Sequence, residues 1–169
     1  MMRALVVLVF ITSPLPGVAQ NSFDRGSGEI FAMASVSSGE DIPGSSGNAA
    51  GFCIGAAWKL SPDAGVVIDF GRHFVSDQHV GFTSVMGGVR LYSGERYRTS
   101  GFFHVLFGAQ RTARFGPPAT WDLMFTPGAG FDIRLTDRIA FRPLQLDLTW
   151  TKSPGLLRAS SGFVFNFGR

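Results

Sequence analysis

Residues 121–135 read WDLMFTPGAGFDIRL, and two chemistries alternate along them. Leu123, Phe125, Pro127, Ala129, Phe131, Ile133 and Leu135 share one parity, while Asp122, Met124, Thr126, Gly128, Gly130, Asp132 and Arg134 share the other. A period of two is the mark of a β-strand with unlike faces. One face is wholly apolar; the other is glycine, hydroxyl and charge, with Met124 the exception. The split recurs elsewhere in the chain. Phe103, Val105, Phe107 and Ala109 oppose Phe102, His104, Leu106, Gly108 and Gln110; Phe52, Ile54, Ala56, Trp58 and Leu60 oppose Cys53, Gly55, Ala57 and Lys59. Val66, Ile68 and Phe70 oppose Val67, Asp69 and Gly71. Near the C-terminus, Leu157, Ala159, Phe163, Phe165 and Phe167 oppose Arg158, Ser160, Gly162 and Asn166, with Ser161 interrupting the apolar face.

Working outward from these stretches, eight alternating segments cover 28–36, 50–60, 65–73, 80–92, 99–111, 121–135, 138–150 and 156–167, separated by clusters of Gly, Pro, Ser, Asn and Asp. The seventh changes phase. Ile139 and Phe141 carry its apolar parity at first, then Leu144, Leu146, Leu148 and Trp150 carry the opposite one. One extra residue restores a single face, so a β-bulge is expected near Pro143, which has no amide hydrogen to lose from a ladder. The connections at 61–64, 93–98 and 136–137 are short, and those at 37–49, 73–78, 112–120 and 151–155 are mostly longer.

The composition suits a surface that does not meet water. Seventeen phenylalanines, 22 glycines and only 16% charged residues compare with about 25% charged in an ordinary soluble domain. Fifteen basic and 12 acidic residues, with no run of five like charges, leave no nucleic-acid footprint. Cys53 is the only cysteine, which excludes an intramolecular disulfide and, by its position, a lipid-modified mature N-terminus. Arg3, the apolar run Ala4 to Ile11 and the small residues Gly17 and Ala19 have the layout of a secretory signal peptide over 1–19, with the barrel domain at 20–169. Eight apolar residues followed by Pro14 and Pro16 are too few for a transmembrane helix, which needs about 20.

Alternation has two phases: the apolar face fills a soluble barrel, or it faces lipid around a polar lumen. Three features select lipid. The polar faces collect glycine and opposed charges, which suit a narrow interior. The segments match the roughly 9 to 11 residues of a tilted strand crossing a bilayer. Trp58 and Tyr92 lie by short turns, and Trp121 and Trp150 by long loops, as two interfacial girdles. The expected fold is therefore all-β, an eight-stranded antiparallel up-and-down transmembrane β-barrel. Phe103, Phe107, Phe125, Phe131, Ile133, Phe163, Phe165 and Phe167 are expected to face lipid.

The stretches GAGFDIRLTDRIAFRPLQLDLTW (128–150) and LRASSGFVFNFG (157–168) resemble the C-terminal half of eight-stranded outer-membrane barrel domains related to outer membrane protein A and the opacity proteins. The resemblance implies a Gram-negative-type outer membrane, with short turns and both termini in the periplasm and long loops outside. It also implies outer-membrane lipid and the barrel-assembly machinery as partners, because the terminal aromatic residues resemble the signal that machinery reads. Gly168 and Arg169 follow Phe167 here, a departure from that signal.

Inward parity collects Lys59, Asp69, Arg90, His104, Gln110, Asp122, Asp132, Arg134, Arg158 and Asn166, with Glu29 a weaker candidate. Charges withdrawn from bulk water persist when paired, so a monomeric barrel with a plugged, non-conducting lumen and a structural or surface-interactive role is expected. No cofactor is expected. His73, His79, His104 and Cys53 show no metal-ligand spacing, and His73 and His79 fall in one loop as solvated residues. A lipid-modifying enzyme needs a nucleophile and base within reach, and parity offers His104 no serine. A narrow pore and a soluble barrel binding an apolar ligand are the remaining alternatives.

Overall fold

Alternation without a helical period leaves the backbone one way to satisfy its amides, by lateral pairing, and a sheet with an apolar outer face has no tolerable open edge. The computed structural model describes residues 27–39, 48–75, 80–94, 98–113, 120–151 and 155–168; the expected signal peptide, His79 and much of the long connections lie outside them. Eight strands follow in chain order: β1 (Gly28–Ser38), β2 (Asn48–Lys59), β3 (Ala64–Val75), β4 (Val80–Tyr92), β5 (Thr99–Ala113), β6 (Thr120–Arg134), β7 (Ile139–Thr149) and β8 (Leu156–Phe167). Each pairs antiparallel with its neighbours, and β1 pairs with β8, from Gly28 opposite Phe167 to Ser38 opposite Leu157, closing the barrel.

The short turns are tied at their bases. The Leu60 and Ser61 amides both donate to the Ala64 carbonyl, and the Leu135 and Thr136 amides to that of Ile139, whose own amide donates to Thr136 Oγ1. At the second turn Ser93 and Gly101 exchange backbone and hydroxyl hydrogen bonds.

Outside stand Phe103, Phe107, Phe125, Phe131, Ile133, Phe163 and Phe165, all exposed. Rings touch across neighbouring strands, Phe107 with Phe125 at 5.1 Å and Phe141 with Phe163 at 5.4 Å between centroids. Phe167 differs from the expectation: it is half-buried, its ring lying over Gly28, which it faces across the closing seam and which has no Cβ to hold it off. Trp58, Trp121 and Trp150 point outward near strand ends. Tyr92 does not join them. It keeps the inward parity of Arg90, and its ring lies 4.8 Å from the Lys59 ammonium inside the short-turn end.

The bulge is in β7. Arg142 faces Gly162 while Gln145 faces Ser160, so two residues of β7 oppose Ser161 alone, and the β6 side shows the same one-residue shift between Phe131 and Ile133. Arg142 and Gln145 consequently both point inward and are fully buried, while Leu144, Leu146, Leu148 and Trp150 are exposed. Ser161 Oγ donates to the Arg142 carbonyl at 3.2 Å, which explains the one hydroxyl on the outer face of β8. Deleting Pro143 removes the extra residue and turns one half of β7 inside out, whereas Pro143→Ala keeps the count. The deletion is expected to abolish the heat-modifiable folded band on a cold detergent gel, and Pro143→Ala to retain it.

Candidate functional site: a charged core inside the barrel

Every strand carboxylate points inward, and Glu29, Asp69, Asp132 and Asp147 are buried there. Glu29, near the start of β1, accepts from Arg90 NH1 on β4 and from Arg142 NH2 on β7, the latter at 3.0 Å. Arg142 also grips both oxygens of Asp132 through Nε at 2.6 Å and NH2 at 2.9 Å, a bidentate fork, and donates through NH1 to Gln145 Oε1 at 3.1 Å. The chain of bonds then rises. Gln145 Nε2 donates to Asp147 Oδ2, which also accepts from Arg158 Nε, both at 2.9 Å, and Arg158 NH1 reaches Asp69 Oδ1 at 3.1 Å. His104 Nε2 lies 2.8 Å from Asp147 Oδ1.

Aromatic faces hold the guanidiniums flat. Arg90 and Arg142 each stand over the Phe102 ring, 4.2 and 4.3 Å from its centroid, and within 5.3 Å of Phe31. Desolvated cation–π contacts of this kind contribute up to about 2 kcal/mol each. Glycine makes the room: a Cβ at Gly128 would run into Asp147 Oδ1 and His104 Nε2, and one at Gly130 into the Phe102 ring.

Above this network the lumen becomes less polar. His73 was expected in a solvated loop, but β3 continues to Val75, and the inward parity of Asp69 and Gly71 carries His73 into the interior. Its Nε2 lies 2.8 Å from Ser35 Oγ, and its ring stacks on Phe82 at 4.7 Å. Thr126 and Thr149 hydroxyls pair at 3.0 Å. Phe82 joins Ala49, Val75 and Leu156 in an apolar cluster at the long-loop end. At the other end a pocket of about 20 Å³, room for one water, is lined by Glu29, Lys59, Tyr92, Asn166 and Phe167 among others.

Of the residues read as luminal, Asp69, Arg90, His104, Asp132 and Arg158 meet in the network, with Lys59 beside it over Tyr92. Gln110 and Asp122 face each other across β5 and β6 toward the long loops, and Arg134 and Asn166 lie toward the short turns, so these four stand above and below its centre. Sequence reasoning missed Arg142, Gln145 and Asp147 and undervalued Glu29. The signal was the change of phase itself: Arg142 opposes Ile139 and Phe141 in parity before it, and Gln145 and Asp147 oppose Leu144, Leu146 and Leu148 after it, which puts all three inward. Among the described residues no three His, Cys, Asp or Glu side chains are grouped to hold a metal ion.

A closed eight-stranded barrel with an apolar exterior and a charged, filled interior defines the class of small transmembrane β-barrels. No family model matches the chain, and no curated protein matches it. Solved structures do match in fold. The N-terminal barrel domain of OprF from Pseudomonas aeruginosa is similar at 19% identity, TM-score 0.61, over 84% of this chain and 99% of that one. Ail, the attachment invasion locus protein of Yersinia pestis, is similar at 17% identity, TM-score 0.58, over 86% and 100%. OprG, an outer membrane protein of P. aeruginosa, is similar at 12% identity, TM-score 0.62, over 86% and 98%. The chain shares their architecture, as the sequence resemblance implied.

Arg142→Ala takes the fork from Asp132 and leaves Glu29 with Arg90 alone. Removing one partner of a buried ion pair costs about 3 to 5 kcal/mol, and that loss is expected in urea unfolding of the barrel in lipid vesicles. Lys59→Ala, at a half-buried position, is expected to cost less than about 1 kcal/mol.

Proposed function

We propose that the chain is an integral protein of a Gram-negative-type outer membrane, exported by its N-terminal signal peptide and inserted by the barrel-assembly machinery. As a monomer, it uses a sealed barrel to anchor surface loops. The observation that carries this reading is an inverted distribution of polarity. Large apolar side chains from every strand are exposed, while three arginines and four carboxylates are locked inside. A soluble barrel would need the reverse. The fold shared with an attachment invasion locus protein supports a surface-interactive role for the loops.

The reading is non-enzymatic. His104 spends its Nε2 on Asp147, and the Ser35–His73 pair is buried against Phe82, with both residues under 5% exposed. A steady pore is disfavoured for the same reason that the network is stable. Ions would have to part Arg142 from Glu29 and Asp132, and rings of one sign, which selective pores use, are absent from the described lumen.

Three measurements test this. Phe107 is outward and midway along β5, so Phe107→Arg is expected to destabilise the barrel in vesicles by about 2 to 4 kcal/mol, the cost of a cation near the midplane. A wild-type protein that fractionates as soluble and folds without detergent would sink the membrane reading. In planar bilayers the wild type is expected to be silent and Asp132→Ala or Arg142→Ala to flicker; stable ohmic steps from the wild type would favour the pore instead.

A further inference from the structure

Within the eight strands the outward parity carries no carboxylate and only two charged side chains, Arg72 and Arg111. They are not scattered. Arg72 on β3 faces Thr83 on β4, and Thr83 faces Arg111 on β5, so the three form one row across adjacent strands. At a strand spacing of about 4.8 Å the two arginine Cα atoms stand about 10 Å apart, with a hydroxyl between them.

The row has a definite height. Beneath it lie Val66, Ile68 and Phe70 on β3, Val85 and Val89 on β4, and Phe103, Val105 and Phe107 on β5, all on the outward face. Aromatic residues bound it, with Phe52 opposite Arg72 and Trp121 opposite Arg111. The two cations therefore cap the apolar belt on the long-loop side, at the level where headgroups begin.

Among the described residues neither cation has a counter-ion. Arg72 NH1 donates to Thr83 Oγ1 at 3.0 Å, its guanidinium lying 5.2 Å from the Phe74 ring centroid. Arg111 is exposed and, among the described residues, has no hydrogen-bond or ion-pair partner. Every other strand arginine points into the lumen, as does every strand carboxylate. Two like charges kept side by side on the one surface that sheds charge suit an anion at headgroup height, where lipid phosphate is at hand. Guanidinium forks match phosphate oxygens two at a time.

We infer that Arg72, Thr83 and Arg111 form a binding site for the phosphate of a lipid headgroup in the leaflet on the long-loop side. The site rests on the membrane reading above, since the row meets headgroups only if the belt beneath it is in lipid. Thr83 Oγ1 supplies a third donor between the guanidiniums, and Trp121 and Phe52 flank the acyl chains below.

The test uses the folded full-length protein in dodecyl maltoside micelles, which carry no phosphate, with adducts counted by native mass spectrometry. Diphosphorylated lipid A, dephosphorylated lipid A and inorganic phosphate are the probes. Wild type is expected to retain diphosphorylated lipid A about tenfold or more tightly than R72Q/R111Q, a ratio set by charge-assisted bonds to phosphate. Dephosphorylated lipid A should bind both equally and weakly, and R138Q, at the short-turn end, should match wild type. Equal retention by wild type and R72Q/R111Q, or an equal loss in R138Q, overturns the site. Displacement of lipid A by millimolar inorganic phosphate overturns the lipid as its source. Failure of the wild type to fold in micelles at all is a separate result, and it overturns the membrane reading itself.

Discussion

Arg142 is the side chain on which the interior depends. Its guanidinium holds two carboxylates, Glu29 and Asp132, together with the Gln145 amide, and lies against Phe31 and Phe102. Buried carboxylates repel one another in a medium too dry to screen them, so a shared cation decides whether the lumen closes or swells. Arg90 adds a second bond to Glu29 from the opposite wall, and Arg158 repeats the arrangement higher up between Asp69 and Asp147. Three arginines thus draw in four acids contributed by β1, β3, β6 and β7, and the wall is braced from inside across its width.

What could be read from the sequence follows from how local each cause is. Strand alternation is a nearest-neighbour property, so the 121–135 pattern named the inward and outward residues of β6 correctly. The bulge was legible too, as a change of phase around Pro143. Its consequence was harder to see, because the inward face changes from even to odd positions there, and Arg142 before it and Gln145 and Asp147 after it share the lumen only when each half is read in its own phase. Strand ends were the weak point. His73 lies two residues beyond Gly71 in an unbroken strand, yet the polar residues that follow made it look solvated. Tyr92 sits beside a short turn, where an aromatic ring serves a girdle or an inner mouth equally well, and only its register with Arg90 distinguishes them. Partnerships across the lumen, such as Glu29 with Arg142, join residues 113 positions apart and have no local trace.

Glycine and phenylalanine, the two excesses of composition, turn out to be one device. Phe31 and Phe102 point inward as platforms for guanidiniums, and a cylinder this narrow admits rings only where the facing wall has no side chain. The Gly55 site lies under Phe31 and the Gly130 site under Phe102. On the outer wall no such matching is needed, and rings crowd freely.

The bulge bears on how the cylinder finds its alignment. Sliding one antiparallel strand past another by two residues keeps every side chain on its own face, so facial patterning alone leaves a ladder of nearly equivalent alignments. An odd residue breaks that degeneracy. Pro143 and its neighbours fit the flanking strands where Ser161 meets the Arg142 carbonyl and Asp132 meets the Arg142 fork. A slide by two in either direction would set Ala159 or Phe163 against the bulge in place of Ser161 and lose the hydroxyl's bond to the Arg142 carbonyl. β7 is thereby keyed to β6 on one side and to β8 on the other. Because β8 also forms the seam with β1, the key in β7 propagates to closure, and the cylinder is assembled with one pitch rather than several.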